Sequence, residues 1–446
     1  MFILDLDVHT HDYPERKQEL ASVCRHWRDV ILQTPCFWST IYVASDISLI
    51  SINTHLERSH GTLLDIVIEG STFYPPSELL ALLPSLDIIK ACAHRWHSLL
   101  VVDIDYCSDE SDNNLEEEGE HLLTNFIAYC MNHLHFPSLN SVTISQHCDF
   151  AYLDFLSMAR APALEHLELA GFMTVRDTLH PVAILKTLKL NFDEGPPTDH
   201  LSFWSLVPTQ ALTKLSLSWE TKFSLQPNSL SLPSLMSLEI LCVKRTRPIL
   251  DAIVAPNLEQ FKCTSTYFDD SPRVLLSRFR SKFANVRQLS FSRLEGASAL
   301  YHDDVMRFCE AFPCVHHVEL DGKNWPHLFD PPPIQTVPGL DYHIRYPVDF
   351  WTELKSLTLN GLHSTWVDGD QLVAWLVHRR ASSLQQLHVK VKPSDSKVVQ
   401  YIDRGSILLD ERLKENCILE LDGFSSRGVR SFHKTSNGVS FSIHRG

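Results

Sequence analysis

Histidine and cysteine are the residue types here best suited to metal binding or nucleophilic chemistry, with 24 and 11 copies in a chain of 446 residues. A zinc site needs paired ligands at short, regular spacing, because the protein must close a tetrahedron around the ion. Cys92, His94 and His97 lie close in sequence, as do His133, His135, His147 and Cys148. Neither group has that paired spacing or a second matching pair. They are read as structural or surface groups. The sequence has no His-Glu-x-x-His, no Gly-x-Ser-x-Gly and no glycine-rich phosphate loop, and only 15 glycines in all. Cys309 and Cys314 flank a helix end and are expected to be core thiols. The expectation is a protein with no catalytic residues, no metal and no other cofactor.

Charge narrows the partners. The net charge of −15 argues against a nucleic-acid binder, which gains its affinity by neutralising phosphates. Nine acids and no base fall between Asp103 and Glu120, which reads as a solvated acidic loop, residues 103–120. The cysteines are odd in number and lack framework spacing, which favours a reducing compartment. The first residues carry Asp5, Asp7 and Asp12 without a basic stretch, unlike a signal peptide. No apolar run approaches the roughly 18 residues that span a bilayer. A soluble protein of the cytoplasm or nucleus is expected, with no membrane and no nucleic-acid partner.

What positions the side chains is a recurring hexapeptide, L-x-x-L-x-L. It reads LNSVTI at Leu139, LEHLEL at Leu164, LKTLKL at Leu185, LTKLSL at Leu212 and LMSLEI at Leu235. It continues as LEQFKC at Leu258, VRQLSF at Val286, VHHVEL at Val315, LKSLTL at Leu354 and LQQLHV at Leu384. Successive starts lie 21 to 39 residues apart. Looser copies stand earlier, LLDIVI at Leu63 and WHSLLV at Trp96. In a strand the fourth and sixth positions face the same way, and one repeat alone cannot bury them, so neighbours must stack. Proline precedes several motifs (Pro137, Pro162, Pro233, Pro256, Pro313), where it need not donate into a ladder. Candidate helices lie between the strands at Asp149–Ala161, Asp269–Phe283, Ser298–Phe312 and Asp368–Ala381. In the last, Leu372, Trp375, Leu376 and Arg379 keep helical rhythm.

Most of these spacings sit in or near the range of a leucine-rich repeat, and the longer ones imply insertions. Fold class is therefore α/β: an irregular solenoid, or horseshoe, with parallel strands on the concave face and helices on the convex face. Regular repeats carry Asn or Cys three residues beyond the motif, forming an amide ladder. Here those places hold His147, Phe172, Asp193, Glu220, Val243, Thr266, Leu294, Lys323, Leu362 and Lys392, so the ladder is missing. Long connections are expected, such as Asp321–Phe350 with its prolines Pro331–Pro333. Outward strand positions are nearly all polar, as a correct register requires. Of these, His166, Glu168, Lys189, Lys214, Lys262, Gln288, His317, Glu319, Thr358 and His388 are the candidate residues of a concave face that docks a protein partner. Gln386 is paired with His388 in the last motif.

The N-terminal segment reads as an amphipathic helix over Glu15–Leu32, with Leu20, Val23, Cys24, Trp27, Val30 and Ile31 on one stripe. Thr34-Pro35 ends it, and Phe37-Trp38 leads into a strand-like Ser39–Val43. By composition this segment would serve as the cap that a solenoid needs over its first repeat.

The stretch SVCRHWRDVILQTPCFWSTIYV, Ser22–Val43, also resembles the second half of an F-box. The form is that of fungal, basidiomycete-type F-box-like proteins with degenerate leucine-rich repeats, which typically read VCRRWRDIALSTPRLWSSI. LERSHGTLLDIVIEG and AHRWHSLLV resemble the stretches that follow it in those families, so the likeness runs loosely over residues 19–102. Met1–Tyr13 does not match the family's Leu-Pro-initiated first helix, so a partial F-box, truncated at its N-terminus, is expected. The resemblance implies a substrate receptor of an SCF-type cullin-RING ubiquitin ligase. Leu20, Val23, Cys24, Trp27, Val30, Ile31, Pro35 and Trp38 would form the F-box core or contact the Skp-type adaptor, and the concave face would select an unidentified protein substrate. The alternative is a repeat scaffold with no ligase partner. The expected organisation is a partial F-box-like segment over 1–45, a linker with irregular first repeats over 46–135, the solenoid over 136–392, and a C-terminal cap or tail over 393–446.

Overall fold

The computed structural model describes residues 19–70, 76–103, 122–145, 153–170, 184–192, 209–219, 225–241, 247–264, 282–292, 302–321, 328–330, 346–360, 369–381, 386–392 and 415–421. The chain is α/β and divides into two compact units, Met1–Pro208 and Thr209–Gly446.

The first unit contains parallel strands β1 (Thr40–Val43), β2 (Leu64–Gly70), β3 (Trp96–Asp103), β4 (Ser141–Ile144), β5 (His166–Ala170) and β6 (Thr187–Phe192). Each pairs with the next in chain order. Its described helices include α1 (Arg25–Gln33), α2 (Leu49–Arg58), α3 (Pro76–Lys90) and α4 (Leu122–Met131). A parallel pair needs a crossover connection, and α2, α3 and α4 supply it between the first four strands. Leu82, Leu86 and Ile89 of α3, with Ile127, Ala128 and Met131 of α4, are buried at helical spacing.

The second unit carries β7 (Lys214–Trp219), β8 (Leu230–Ser231), β9 (Ser237–Leu241), β10 (Ile253–Val254), β11 (Gln260–Thr264), β12 (Gln288–Ser292), β13 (His317–Asp321), β14 (Ser356–Asn360), β15 (Leu387–Lys392) and β16 (Cys417–Leu421). The strands β7, β9 and β11–β16 pair in that order, all parallel, while β8 and β10 form a small separate ladder. Its described helices include α5 (Arg247–Ala252), α6 (His302–Ala311) and α7 (Gly369–Ala381). Their placement follows the buried rows: Val305, Phe308 and Cys309 in α6, and Val373, Trp375, Leu376 and Arg379 in α7. Helix α6 and α7 thus realise the expected Ser298–Phe312 and Asp368–Ala381. By contrast, the described part of Asp149–Ala161 contains only a 3-10 turn at Asp154–Leu156. Nearly all of Asp269–Phe283 lies outside the described residues, as do 104–120 of the acidic loop and most of Asp321–Phe350.

Alternation decides the register. In β4, β5, β9, β11, β12 and β14 every second residue is buried, and these are the fourth and sixth motif positions. The third positions align across neighbours: Ser98, Ser141, His166 and Thr187 in the first unit; Lys214, Ser237, Gln260, Gln288, His317 and Ser356 in the second. The last motif departs. His388, not Gln386, pairs with Ser356, a slip of two residues. A slip of two keeps each side chain on its face, whereas a slip of one would not. The strand series also runs on past Lys392 into β16, where Cys417 is buried.

A turn recurs ahead of the strands and explains the prolines. In six motifs the first apolar residue donates its N–H to a buried residue three positions earlier. These are Leu139 to Phe136 (3.3 Å), Leu164 to Ala161 (3.2 Å), Leu235 to Leu232 (3.2 Å), Leu258 to Ala255 (3.2 Å), Val286 to Phe283 (3.1 Å) and Leu354 to Trp351 (3.1 Å). Pro137, Pro162, Pro233 and Pro256 occupy the second turn position, which favours their fixed φ. The third turn residue often reaches the preceding repeat. In the second unit Ser234 Oγ donates to Gln210 O (2.6 Å), Asn257 Nδ2 to Pro233 O (2.8 Å) and Asn285 Nδ2 to Pro256 O (2.9 Å). In the first, Ser138 Oγ donates to His94 O (3.1 Å). These bonds tie successive turns together ahead of the strands.

Aromatic packing fills the middle of the second unit. Phe261 stacks on Phe283 (5.4 Å) and meets Phe291 edge-on (5.6 Å), while Phe308 meets Phe291 (4.9 Å), Phe312 (5.3 Å) and Trp351 (6.1 Å). Lys282 Nζ donates to the carbonyls of Leu250 and Ile253 (3.1 Å each) and of Asp251, closing the C-terminal end of α5. One expected core thiol is corrected: Cys309 is buried, but Cys314 is exposed at the third turn position before β13.

Replacing Asn257 with Ala should cost about 1 kcal/mol, as for one ordinary hydrogen bond. Leu289→Ala, which empties a packed strand position, should cost about 2–5 kcal/mol. Urea unfolding of the two variants beside the parent measures both, and equal losses would contradict this division.

Candidate protein-binding surfaces

The polar strand face is built from the third and fifth motif positions. His166, Glu168 and Lys189 stand on it in the first unit; Lys214, Lys262, Gln288, His317, Glu319, Thr358 and His388 stand on it in the second. None is buried. The two sets are on separate units.

Charges on this face pair across neighbouring strands. Glu168 meets Lys189 at 2.5 Å in the first unit. In the second, Lys262 meets Glu239 (2.6 Å), and Glu420 meets both Lys390 (3.0 Å) and His388 (3.2 Å). Glu319 accepts from Asn360 Nδ2 (2.9 Å) and Ser290 Oγ (3.5 Å), and Glu239 accepts from Ser216 Oγ (3.1 Å). Ion pairs this open are worth about 0–1 kcal/mol each, so they set the surface's charge pattern more than its stability. Glu239 is the fifth residue of LMSLEI and was legible in the motif; Lys390 and Glu420 depend on the shifted β15 and the added β16.

His317 is the side chain on this face with the most chemistry. Its Nδ1 lies 2.7 Å from Ser356 Oγ. Burial lowers its pKa, and neighbouring His316 and Lys355 lower it further. A hydroxyl beside an imidazole is half of a nucleophilic arrangement, but a triad also requires an acid on the second ring nitrogen and donors for an oxyanion. Among the described residues no acid bonds His317 Nε2. His316 instead meets Glu353 at 2.6 Å, and this hydrogen bond from His316 holds the Glu353 carboxyl below the usual range. Buried thiols offer no nucleophile either: burial pushes Cys263 and Cys417 up to about 12.

The N-terminal segment makes a different surface. The expected continuous helix over Glu15–Leu32 is broken. Residues 19–23 are helical, Cys24 is extended (φ −161°, ψ 168°), and its Sγ accepts the Trp27 N–H at 3.5 Å as the N-cap of α1. The expected single stripe is divided as well. Ile31 is 2% exposed and faces inward, while Val23, Trp27 and Val30 are 66%, 45% and 36% exposed. Cys24 is exposed too, and Leu20 is half-buried. Pro35 opens a 3-10 turn, Pro35–Trp38, and Thr34 Oγ1 donates back to Val30 O at 2.6 Å. Trp38 locks the segment: its Nε1 donates to Ile31 O (2.8 Å), its ring meets His55 of α2 edge-on (5.0 Å), and the Arg58 guanidinium lies 4.4 Å over it. The clamp through His55 and Arg58 was missed in the sequence because it joins two elements whose relation no spacing reveals. Beyond it, β1 is part of the sheet, with Ile41 and Val43 buried.

Among the described residues no three His, Cys, Asp or Glu side chains gather in a way that would hold a metal ion. Cys92, His94, His97, His133 and His135 are described; His147 and Cys148 are not. A cavity of about 220 Å³ in the second unit is lined by Leu376, Arg379, Arg380, Gln386, Leu387, Glu415 and Asn416. Arg379 there donates to Leu354 O (2.7 Å), and Arg380 to Glu415 O (2.5 Å). Among the described residues no helix is long and apolar enough to cross a membrane. Compared with known proteins, the chain matches no family model and no curated sequence.

The lowered pKa of His317 has a signed consequence. Its unfolded form holds a proton more tightly than its folded form, so acid favours unfolding. Its stabilising contribution is complete well above pH 6.5 and is lost as pH falls through 6.5 toward the folded value. An NMR titration of the His317 ring should therefore give a midpoint below 6.5, and Lys355→Gln should raise it. A midpoint above 6.5 would contradict the geometry.

Proposed function

We propose that this chain is a non-enzymatic, F-box-like leucine-rich-repeat protein, the substrate receptor of an SCF-type ubiquitin ligase. Its N-terminal helical segment docks on the Skp-type adaptor. Its strands line the concave face of a horseshoe solenoid and hold the protein to be ubiquitinated. Parallel strands that pair in chain order, one per repeat, support the solenoid reading.

The observation that carries the adaptor reading is the exposed pair Trp27 and Val30 on α1, with exposed Val23 just before the break at Cys24, on a segment that Trp38 clamps in place. A cap helix would turn such side chains into the repeat it covers, as Ile31 does. Three large apolar groups facing outward beside basic Arg25 and Arg28 fit a partner better than they fit solvent. Exposed tryptophan is also the residue type most often dominant in protein interfaces.

The test uses the full chain and a purified Skp-type adaptor in calorimetric titration. Trp27→Ala together with Val30→Ala should weaken binding by more than about tenfold while leaving the thermal midpoint unchanged, as expected for hot-spot residues. If the parent chain does not bind the adaptor at all, the ligase reading fails and the repeat-scaffold alternative stands. Deletion of residues 1–45 is a poor test, because it removes β1 from the sheet.

A further inference from the structure

The exposed part of the second unit's strand face is centred on three adjacent strands. Gln260 of β11, Gln288 of β12 and His317 of β13 are in register and all exposed. Each offers hydrogen bonds without carrying charge. A glutamine amide both donates and accepts, and His317, with Nδ1 engaged by Ser356 Oγ at 2.7 Å, keeps Nε2 for another group. Burial, His316 and Lys355 lower its pKa and so favour the neutral ring.

The surrounding charges balance. Over the third and fifth motif positions of this unit stand three lysines (Lys214, Lys262, Lys390) and three glutamates (Glu239, Glu319, Glu420). Lys262 pairs with Glu239 at 2.6 Å and Lys390 with Glu420 at 3.0 Å, while Glu319 accepts from Asn360 at 2.9 Å. The chain as a whole carries −15, so the neutrality of this face is local. Two of the three lysines are held to glutamates at contact distance, and a strongly charged partner would have to break those pairs to gain from them.

We infer that the face over β11, β12 and β13 recognises an extended, uncharged polar segment of a partner protein, rich in Asn, Gln, Ser or Thr. This deepens the receptor reading proposed above and rests on it. Contact is made by hydrogen bonds to Gln260, Gln288 and His317, which a segment lying across the strands meets in turn. Neighbouring strands lie about 4.8 Å apart, so three strands span roughly 10 Å, less than the reach of a short peptide.

The probe is a phage-displayed library of random peptides of about twelve residues, roughly 40 Å when extended. It is selected on the intact chain and depleted on Gln288→Lys, with Gln260→Lys as a second variant should the first not fold. Enriched peptides should be near zero net charge and rich in amide and hydroxyl residues. Their affinity should change less than about threefold between 0.05 and 0.5 M salt, since screening acts on charges. It should fall more than about tenfold on Gln288→Lys, as for loss of a polar contact in a buried interface. Enrichment of strongly acidic or basic peptides, or unchanged binding to both lysine variants, would overturn this inference alone. Failure to enrich any peptide that depends on this face would overturn the receptor reading as well.

Discussion

The in-register pairing of parallel strands is the constraint on which the rest of this protein depends. Each strand buries its fourth and sixth motif residues, and no strand can do so alone, because the apolar row it presents is one residue wide. The neighbour's row completes it. Leu238, Phe261, Leu289, Val318 and Leu357 occupy one such level across five strands, and all are buried. Each contributes about 1.5–3 kcal/mol by leaving water, but only while the level is continuous. The same pleat sends His317, Gln288 and Lys262 to the other side. The buried face and the polar face therefore follow from one geometric rule, and β15 tests it: its pairing slips by two residues, an even number, and both faces survive.

Continuity at the strand entrances is secured by a second device. The turn before several strands places a buried apolar residue, often a proline, then a short polar side chain. Ser234, Asn257 and Asn285 each reach the turn of the preceding repeat. Repeats of regular sequence bury amides beyond the strand. Here, among the described residues, linking bonds lie at its start, and the sequence beyond it varies, with His147, Val243 and Leu294 at equivalent places. Repeat lengths run from 21 to 39 residues.

Much of this was legible in the sequence, for reasons that differ by element. Strand positions and facing could be read because the period of two is local and repeated. Helices α6 and α7 could be read because each turns a row of apolar residues inward at helical spacing. Asp149–Ala161 carried a similar rhythm yet forms only a 3-10 turn where described, since periodicity over so short a span does not set the length of a helix. The break at Cys24 was hidden for a related reason. The apolar spacing runs through it unbroken, but Cys24 adopts an extended conformation and caps the next turn. Cys314 was misplaced because a thiol reads as apolar, while the turn position it occupies faces solvent. The Trp38 clamp and the Ser356–His317 pair join residues 17 to 39 positions apart, and only the fold brings them together.

Both proposed surfaces descend from the strand register, the polar face directly and the N-terminal row through β1, to which its segment leads. The most direct test is thiol accessibility along β12, with cysteine introduced singly at Gln288, Leu289, Ser290, Phe291 and Ser292 of the full chain. Labelling at each site is read from its own peptide mass, so native cysteines do not interfere. Fast labelling at 288, 290 and 292 with slow labelling at 289 and 291 is the result that the register requires. Uniform labelling, or the opposite alternation, would contradict it and remove the basis for the polar face.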